Sequence, residues 1–380
     1  MNWLTGGHQG EAKRLVVQLA DSTKRDTAAK ELIKLGTDAV PSLIDALQTQ
    51  DLGLVLTYQH ILARIPAATP ALTKALATTT YRPVVRARVA ETLGMSKDRS
   101  AIPALLDALK DEYFTVRVSA ALALGNIGDA RVIPSLLPLL KDKDGEVRSA
   151  ACVAIAKFRD PSTFDDITNI LLDDPLIEVR QSAVRALGDT KHPAAVPFLM
   201  EALRDSFWWF EREQAAADLL NAIEKMGPAV VEPLIEALGD KEGTVRKYAA
   251  LVLGNLGDIR AIEELGMALY DLHHEVGEAA AEALAKFGAP AVDILIESLN
   301  HPEAAIREHA VIALEKIQDA RVVPVLIEML RDPDRSVQRQ TILILGNLKN
   351  VLARPALQVI ANSRTDRDLA SLAKQALGQA

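Results

Sequence analysis

A pattern of about 31 residues recurs along almost the whole chain, and it constrains the fold more than any other feature. Its clearest copy runs from Asp111 to Asp142, DEYFTVRVSAALALGNIGDARVIPSLLPLLKD. Within it Val116, Ala120, Leu124 and Ile127 fall on one helical face. Gly125 and Gly128 weaken that helix, and Asp129 opens a turn where a short acceptor side chain caps the next one. The second helix, Val132 to Leu140, is predicted to bury Ile133, Leu136, Leu137 and Leu140. Pro134 sits in its first turn, where a missing N–H costs little. Two such helices cannot cover both apolar faces alone, so the unit must stack on copies of itself.

The copies are explicit. A Val-Arg or Ile-Arg pair opens the Ala-rich helix at Val85, Val116, Val147, Val179, Val245 and Ile306. The Pro-containing helix recurs as AVPSLIDAL from Ala39, AIPALLDAL from Ala101, AVPFLMEAL from Ala195 and VVPVLIEML from Val322, with degenerate versions from Val230, Ala261 and Ala291.

The period, together with V-R-x-x-A-x-x-x-L-G and A-[IV]-P-x-L-x-x-x-L, resembles HEAT repeats of the short kind named after phycobilisome lyases (E–Z type). The resemblance covers essentially all 380 residues. It implies an all-α, right-handed, armadillo-like α-solenoid of about twelve helix pairs, with the Ala-rich helices on the concave side. Residues 1–380 read as a single continuous array, with 1–36 and 351–380 as polar capping pairs. An Asp stands six residues before Arg117, Arg148, Arg180 and Arg246, which in such repeats implies an Asp/Arg ladder tying each turn to the next repeat. Gly277 and Gln338 interrupt the Arg series, and His301 replaces the Asp before Arg307; local softness around 271–307 is expected there.

A hydrophobic content of 49% with only 4% aromatics suits Ala-, Leu- and Val-packed helix pairs. The single cysteine, Cys152, excludes an internal disulfide and lies in an Ala-rich helix, where a buried core thiol is the expectation. The N-terminus carries no long apolar run, so neither a signal peptide nor a membrane anchor is expected, and a cytoplasmic monomer is the plain reading. The net charge of −8 is uneven. Residues 1–100 hold 13 Lys and Arg against 9 Asp and Glu, whereas residues 201–300 hold 8 against 19. Such acidity opposes binding a polyanion, so nucleic acid is not an expected partner.

One unit breaks the period: Val196 and Val231 are 35 residues apart, about one helical turn over the norm. The excess holds Phe207, Trp208, Trp209 and Phe210, four aromatics that cannot all face one core. Ala-rich helices on a concave side would also project Arg88, Ser119, Arg185, Gln214, Tyr248, Glu282, His309 and Gln340, interleaved with Leu122, Val153, Leu251, Ile312 and Leu343. From these, Phe207, Trp208, Trp209, Phe210, Tyr248, Arg185 and His309 are the partner-binding candidates, since exposed aromatics and Arg anchor interfaces.

Catalytic constellations are absent from the sequence: there is no Gly-rich phosphate loop, nucleophile elbow or Cys/His/Asp cluster. HEAT-like deoxyhypusine hydroxylases hold a di-iron site with His-Glu pairs just after the Val-Arg position. Here His274-Glu275 precedes that position and Glu308-His309 occupies it in reversed order, so no metal site is expected. HEAT-like alkylpurine DNA glycosylases read a cationic concave face, which the acidity around Trp208, Trp209 and Glu211 opposes. The expected function is a non-catalytic scaffold that holds a protein or peptide on its concave face, with no cofactor. The alternative, implied only by the repeat's namesake, is a bilin lyase-type or lyase-accessory subunit acting on a tetrapyrrole and its protein acceptor.

Overall fold

The computed structural model of the protein describes residues 4–65, 67–205 and 213–378. Among them every regular element is an α-helix or a short 3₁₀ turn, giving an all-α solenoid architecture. The chain divides into two compact units, Met1–Ala202 and Leu203–Ala380. Each is a succession of helix pairs, a short A-helix, Pro-bearing in several repeats, followed by a B-helix that in most repeats opens on Val-Arg or Ile-Arg. In the first unit the clearest pairs are Ile102–Ala108 with Phe114–Ile127, and Phe164–Asp173 with Ile177–Thr190. In the second, Val231–Ala237 pairs with Gly243–Leu256, Ile262–Ala268 with His274–Phe287, and Val292–Ser298 with Ala304–Glu315.

Local chemistry sets the boundaries. Before many of the A-helices an acceptor side chain takes the N–H two residues on: Asp98 from Ser100, Asp129 from Arg131, Asp160 from Ser162, Asp258 from Arg260 and Asp319 from Arg321. His192 Nδ1 does the same for the Ala194 N–H at 3.2 Å. Several B-helices end at a residue with positive φ, such as Gly128 at 76° and Gly257 at 66°, where the absence of a Cβ removes the left-handed penalty.

Two details differ from the sequence reading. Gly125 does not weaken the helix, which runs on to Ile127. A Cβ there would lie 2.9 Å from Ala154 Cα, so the glycine lets two successive B-helices touch backbone to backbone. The second helix of that repeat is α-helical only over Ile133–Leu136 and continues as 3₁₀ over Leu137–Lys141. Pro138 donates no hydrogen bond and tightens the chain. The change of pitch buries Leu139 in place of Leu137.

The arginines form the ladder. Arg117 donates from Nε and Nη2 to the carboxylate of Asp142, 25 residues ahead, at 2.9 and 2.8 Å. Its Nη1 donates to the carbonyl of Asp111, six residues behind, at 2.8 Å. Arg148 repeats this with Asp174 and the Asp142 carbonyl, Arg246 with Asp271 and the Asp240 carbonyl, and Arg307 with Asp332 and the His301 carbonyl. Arg86 pairs likewise with Asp111. Each of Asp111, Asp142 and Asp174 therefore serves the arginine six residues on through the main chain. Its carboxylate clamps the arginine of the preceding repeat and also accepts the N–H two residues on, as Asp142 does from Asp144. Bidentate pairing of this kind fixes orientation as well as separation.

At Gly277 the rung is lost from both sides together, since the turn residue that would face an arginine there is His301. No buried carboxylate is stranded. His301 keeps the turn by accepting the Glu303 N–H on Nδ1 at 3.1 Å. Its ring stacks on Tyr270 with centroids 4.9 Å apart. Ser298 Oγ donates to the Ile294 carbonyl, so the 3.1 Å contact with Tyr270 is donated by the tyrosine hydroxyl.

Candidate binding surface

B-helices turn one side toward the next repeat and leave another open. The open positions fall in register: Leu122, Val153, Leu251 and Ile312 are half-buried, and Leu343 is exposed. In the first unit they belong to a groove of about 730 Å³ over the helices Phe114–Ile127, Gly145–Ala156 and Ile177–Thr190. Its apolar lining is Phe114, Val118, Leu122, Val153 and Leu176. Leu176 is 45% exposed and Phe114 36%. The Leu176 side chain lies over Gly145, where any Cβ would come within 2.5 Å of its Cδ1. The glycine thus makes room for that wall of the groove.

The polar lining is equally ordered. Asp144 is held by Arg117 Nη2 at 2.7 Å. Glu146 and Glu178 each precede the Val of their repeat and are exposed. Arg185, a sequence candidate, lines the same groove, with an Nη2 contact of 3.5 Å to Ser182 Oγ. Ladder carboxylates beneath stay ionised. Burial pushes Asp142 and Asp174 up, but hydrogen bonds from Arg117 and Arg148 and from the turn N–H groups outweigh it and hold both below the ordinary carboxylate value.

The second unit carries a cavity of about 290 Å³ lined by His274, Glu278, Glu282, Glu308, His309 and Lys316 among others. His309 does not project as the sequence reading expects: it is 6% exposed, because Gly277 in the preceding B-helix opens space for its ring. Its Nε2 lies 3.1 Å from His274 Nδ1, and its own Nδ1 is buried without a hydrogen-bond partner. Assigning the proton to Nε2, which donates to His274, leaves Nδ1 a bare acceptor, the less costly arrangement. Burial pushes His309 below its ordinary pKa, and His274 adds to this.

Other sequence candidates are distributed as follows. Tyr248 is half-buried in the second unit, with the Lys247 ammonium 5.8 Å from its ring centroid. Ser119 is buried and donates to Glu91, and Arg88 donates to the Leu47 and Thr49 carbonyls. Glu282 is exposed and pairs with Lys286 at 3.1 Å. Phe207, Trp208, Trp209 and Phe210, and the side chain of Gln214, lie outside the described residues. Sequence reasoning missed Phe114 and Leu176. The available signal was an apolar residue where other repeats carry Asp144, Glu242 or Glu303 in place of Leu176, and Gly145 or Gly243 in place of Phe114.

Among the described residues no group of three or more His, Cys, Asp or Glu is placed to hold a metal ion. Burial pushes the Cys152 thiol up to about 12, which leaves it protonated and a poor nucleophile. Among the described residues no helix is long and apolar enough to cross a membrane.

No curated protein matches the sequence. Solved structures do. The karyopherin Kap121p bound to the SUMO protease Ulp1p is similar with a TM-score of 0.57 at 15% identity, over 97% of this chain and 49% of that one. The chain therefore spans about half the length of Kap121p. The complex of CpcE and CpcF of phycocyanin lyase from Nostoc sp. PCC7120 matches 60% of this chain and 92% of that one at 20% identity, TM-score 0.36. Human deoxyhypusine hydroxylase in complex with glycerol matches 68% of this chain and 97% of that one at 24% identity, TM-score 0.31. The likeness to Kap121p concerns the fold alone. The family described as HEAT repeats matches residues 69–156, 133–221, 231–303 and 292–378. With the ladder, the stacked Gly–Ala contacts and most of the chain so matched, the protein belongs to the HEAT-repeat family.

Proposed function

We propose that the chain is a non-catalytic binding scaffold whose open B-helix face in the first unit holds an extended segment of a partner protein. The observation that carries this reading is the groove of about 730 Å³ with Phe114, Leu122, Val153 and Leu176 on its lining. Side chains of that size left in contact with water favour an apolar occupant, at about 25 cal/mol for each Å² covered. The ladder beneath it supports the reading from a second side. Arg117 and Arg148 fix the three B-helices by bidentate bonds, so the surface is formed before any partner arrives and little ordering entropy opposes binding. The structure of the karyopherin Kap121p, similar in fold and bound to a protein, is consistent with this use of the fold.

The test is selection of binders from a displayed library of random 12-residue peptides on the full chain. Binders that are lost on Val153→Glu support the groove as the site. A library that yields no binder sensitive to Val153→Glu refutes it.

A further inference from the structure

We propose that this groove takes a polyproline-like segment bearing two cationic side chains three residues apart, with an apolar side chain beside them. The proposal rests on the scaffold reading and adds the chemistry of the occupant.

Glu146 and Glu178 occupy the same place in successive repeats, immediately before Val147 and Val179, and both line the groove. Both are exposed, and neither carboxylate has a hydrogen bond or ion pair among the described residues. The neighbouring carboxylates are already engaged: Asp142 and Asp144 accept from Arg117, and Asp174 accepts from Arg148. The groove lining as a whole holds the three carboxylates Asp144, Glu146 and Glu178 against the single guanidinium of Arg185. Its complement is therefore a cationic segment, and a phosphate backbone would meet two unscreened carboxylates.

Spacing selects the conformation. Packed helices lie about 8–10 Å apart. A polyproline helix has three residues per turn and rises about 3.1 Å for each, so side chains i and i+3 point the same way at about 9 Å. In a β-extended segment, same-side residues recur at roughly 6.6 or 13 Å, and neither distance fits. Cations at i and i+3 would thus reach Glu146 and Glu178 together. An aliphatic or aromatic side chain between or beside them would enter the space among Phe114, Leu122, Val153 and Leu176. A polyproline segment leaves its carbonyls unpaired, and Ser149, which lines the groove, brings a hydroxyl donor for one of them.

The test uses fluorescence anisotropy on the full chain with labelled 12-residue, proline-containing peptides. The first carries two lysines three residues apart around a leucine. The second replaces both lysines by glutamate, and the third sets the lysines five residues apart. The first peptide is expected to bind at least tenfold more tightly than the others, and added salt should weaken it. The double variant Glu146→Gln, Glu178→Gln should bind it at least tenfold more weakly with its circular dichroism and thermal midpoint unchanged, because both side chains are exposed. Equal affinity for the lysine and glutamate peptides, or no loss in the double variant, overturns the proposal. The library selection separates the two claims. Binders sensitive to Val153→Glu but without paired cations would sink the cationic occupant and leave the scaffold standing. No binder sensitive to Val153→Glu would sink both.

Discussion

Arg307 and Asp332 meet through two parallel bonds of 2.7 Å, Nε to Oδ2 and Nη2 to Oδ1, with the side chains only 9% and 3% exposed. A third bond from Nη1 reaches the His301 carbonyl at 2.7 Å. Two charges are removed from water here, and each is tolerated only because the other is present. Arg307→Ala should therefore cost about 3–5 kcal/mol by stranding the aspartate. Arg335, which pairs with Asp366 and Asp368 while 61% exposed, should cost far less when changed to alanine. Urea denaturation of the two variants checks this, and equal losses would contradict the ladder as a structural device.

The ladder also sets an acid limit. Hydrogen bonds from Arg246 hold the Asp271 carboxyl below its ordinary value of 3.8, against the opposing effect of burial. A carboxyl that is more acidic in the folded state lends stability above its unfolded pKa and loses it as pH falls through the folded value. This contribution should be level from pH 7 to about 5 and fall steeply below about 4. Asp271→Asn should lower the plateau and flatten that fall. A variant as acid-sensitive as the parent would remove Asp271 from the cause.

Histidine 309 acts in a higher window. Its folded pKa lies below the ordinary 6.5 because of burial first and His274 second, with Glu278 opposing. The unfolded chain therefore takes up a proton at this site before the folded one does. The contribution is neutral above about pH 7 and destabilising as pH falls through 6.5. Thermal midpoints measured between pH 7.5 and 5.5 should drop less for His309→Gln than for the parent. Parallel slopes would show that other groups carry the dependence.

Glycines inside the helices divide into two kinds. A Cβ on Gly254 would lie 2.6 Å from Ala283 Cα and 2.7 Å from its Cβ, so Gly254→Val must push two helix backbones apart at a cost of about 1–3 kcal/mol or more. Gly10, inside Leu4–Gln18, has nothing within 4 Å of that position, and Gly10→Ala should stabilise by about 0.5–1 kcal/mol. Opposite shifts in thermal midpoint would verify the distinction.

Cys152 should be silent to a thiol reagent such as dithionitrobenzoate in the folded protein and react fully once urea unfolds it. The side chain is fully buried and its thiol is pushed up to about 12. Prompt reaction under native conditions would show that the helix Gly145–Ala156 opens locally.

Much of the fold was legible because each repeat states its own local rules. Asp129 before Ala130 announces a cap, Pro134 an A-helix start, and Val116 with Leu124 a buried B-helix face. The sites were less legible. Arg185 was found because it stands at a position that an Ala-rich helix projects from its open side, and it does line the groove. His309 stood at an equally open position, yet it folds inward. The difference lies 32 residues away, in the missing side chain of Gly277.

The sequence by itself determined the period, the helix pairs, the caps and the residue types of the ladder, because these depend on contacts within a turn or two. Only the tertiary structure decided which carboxylate each arginine takes. Its partner is the aspartate 25 or 26 residues ahead, and it meets the one six residues behind through the carbonyl alone. Stacking places the next repeat's turn closer to the guanidinium than its own turn's side chain. The same stacking joins Phe114, Val153 and Leu176 from three repeats into one groove, a juxtaposition that no single repeat encodes.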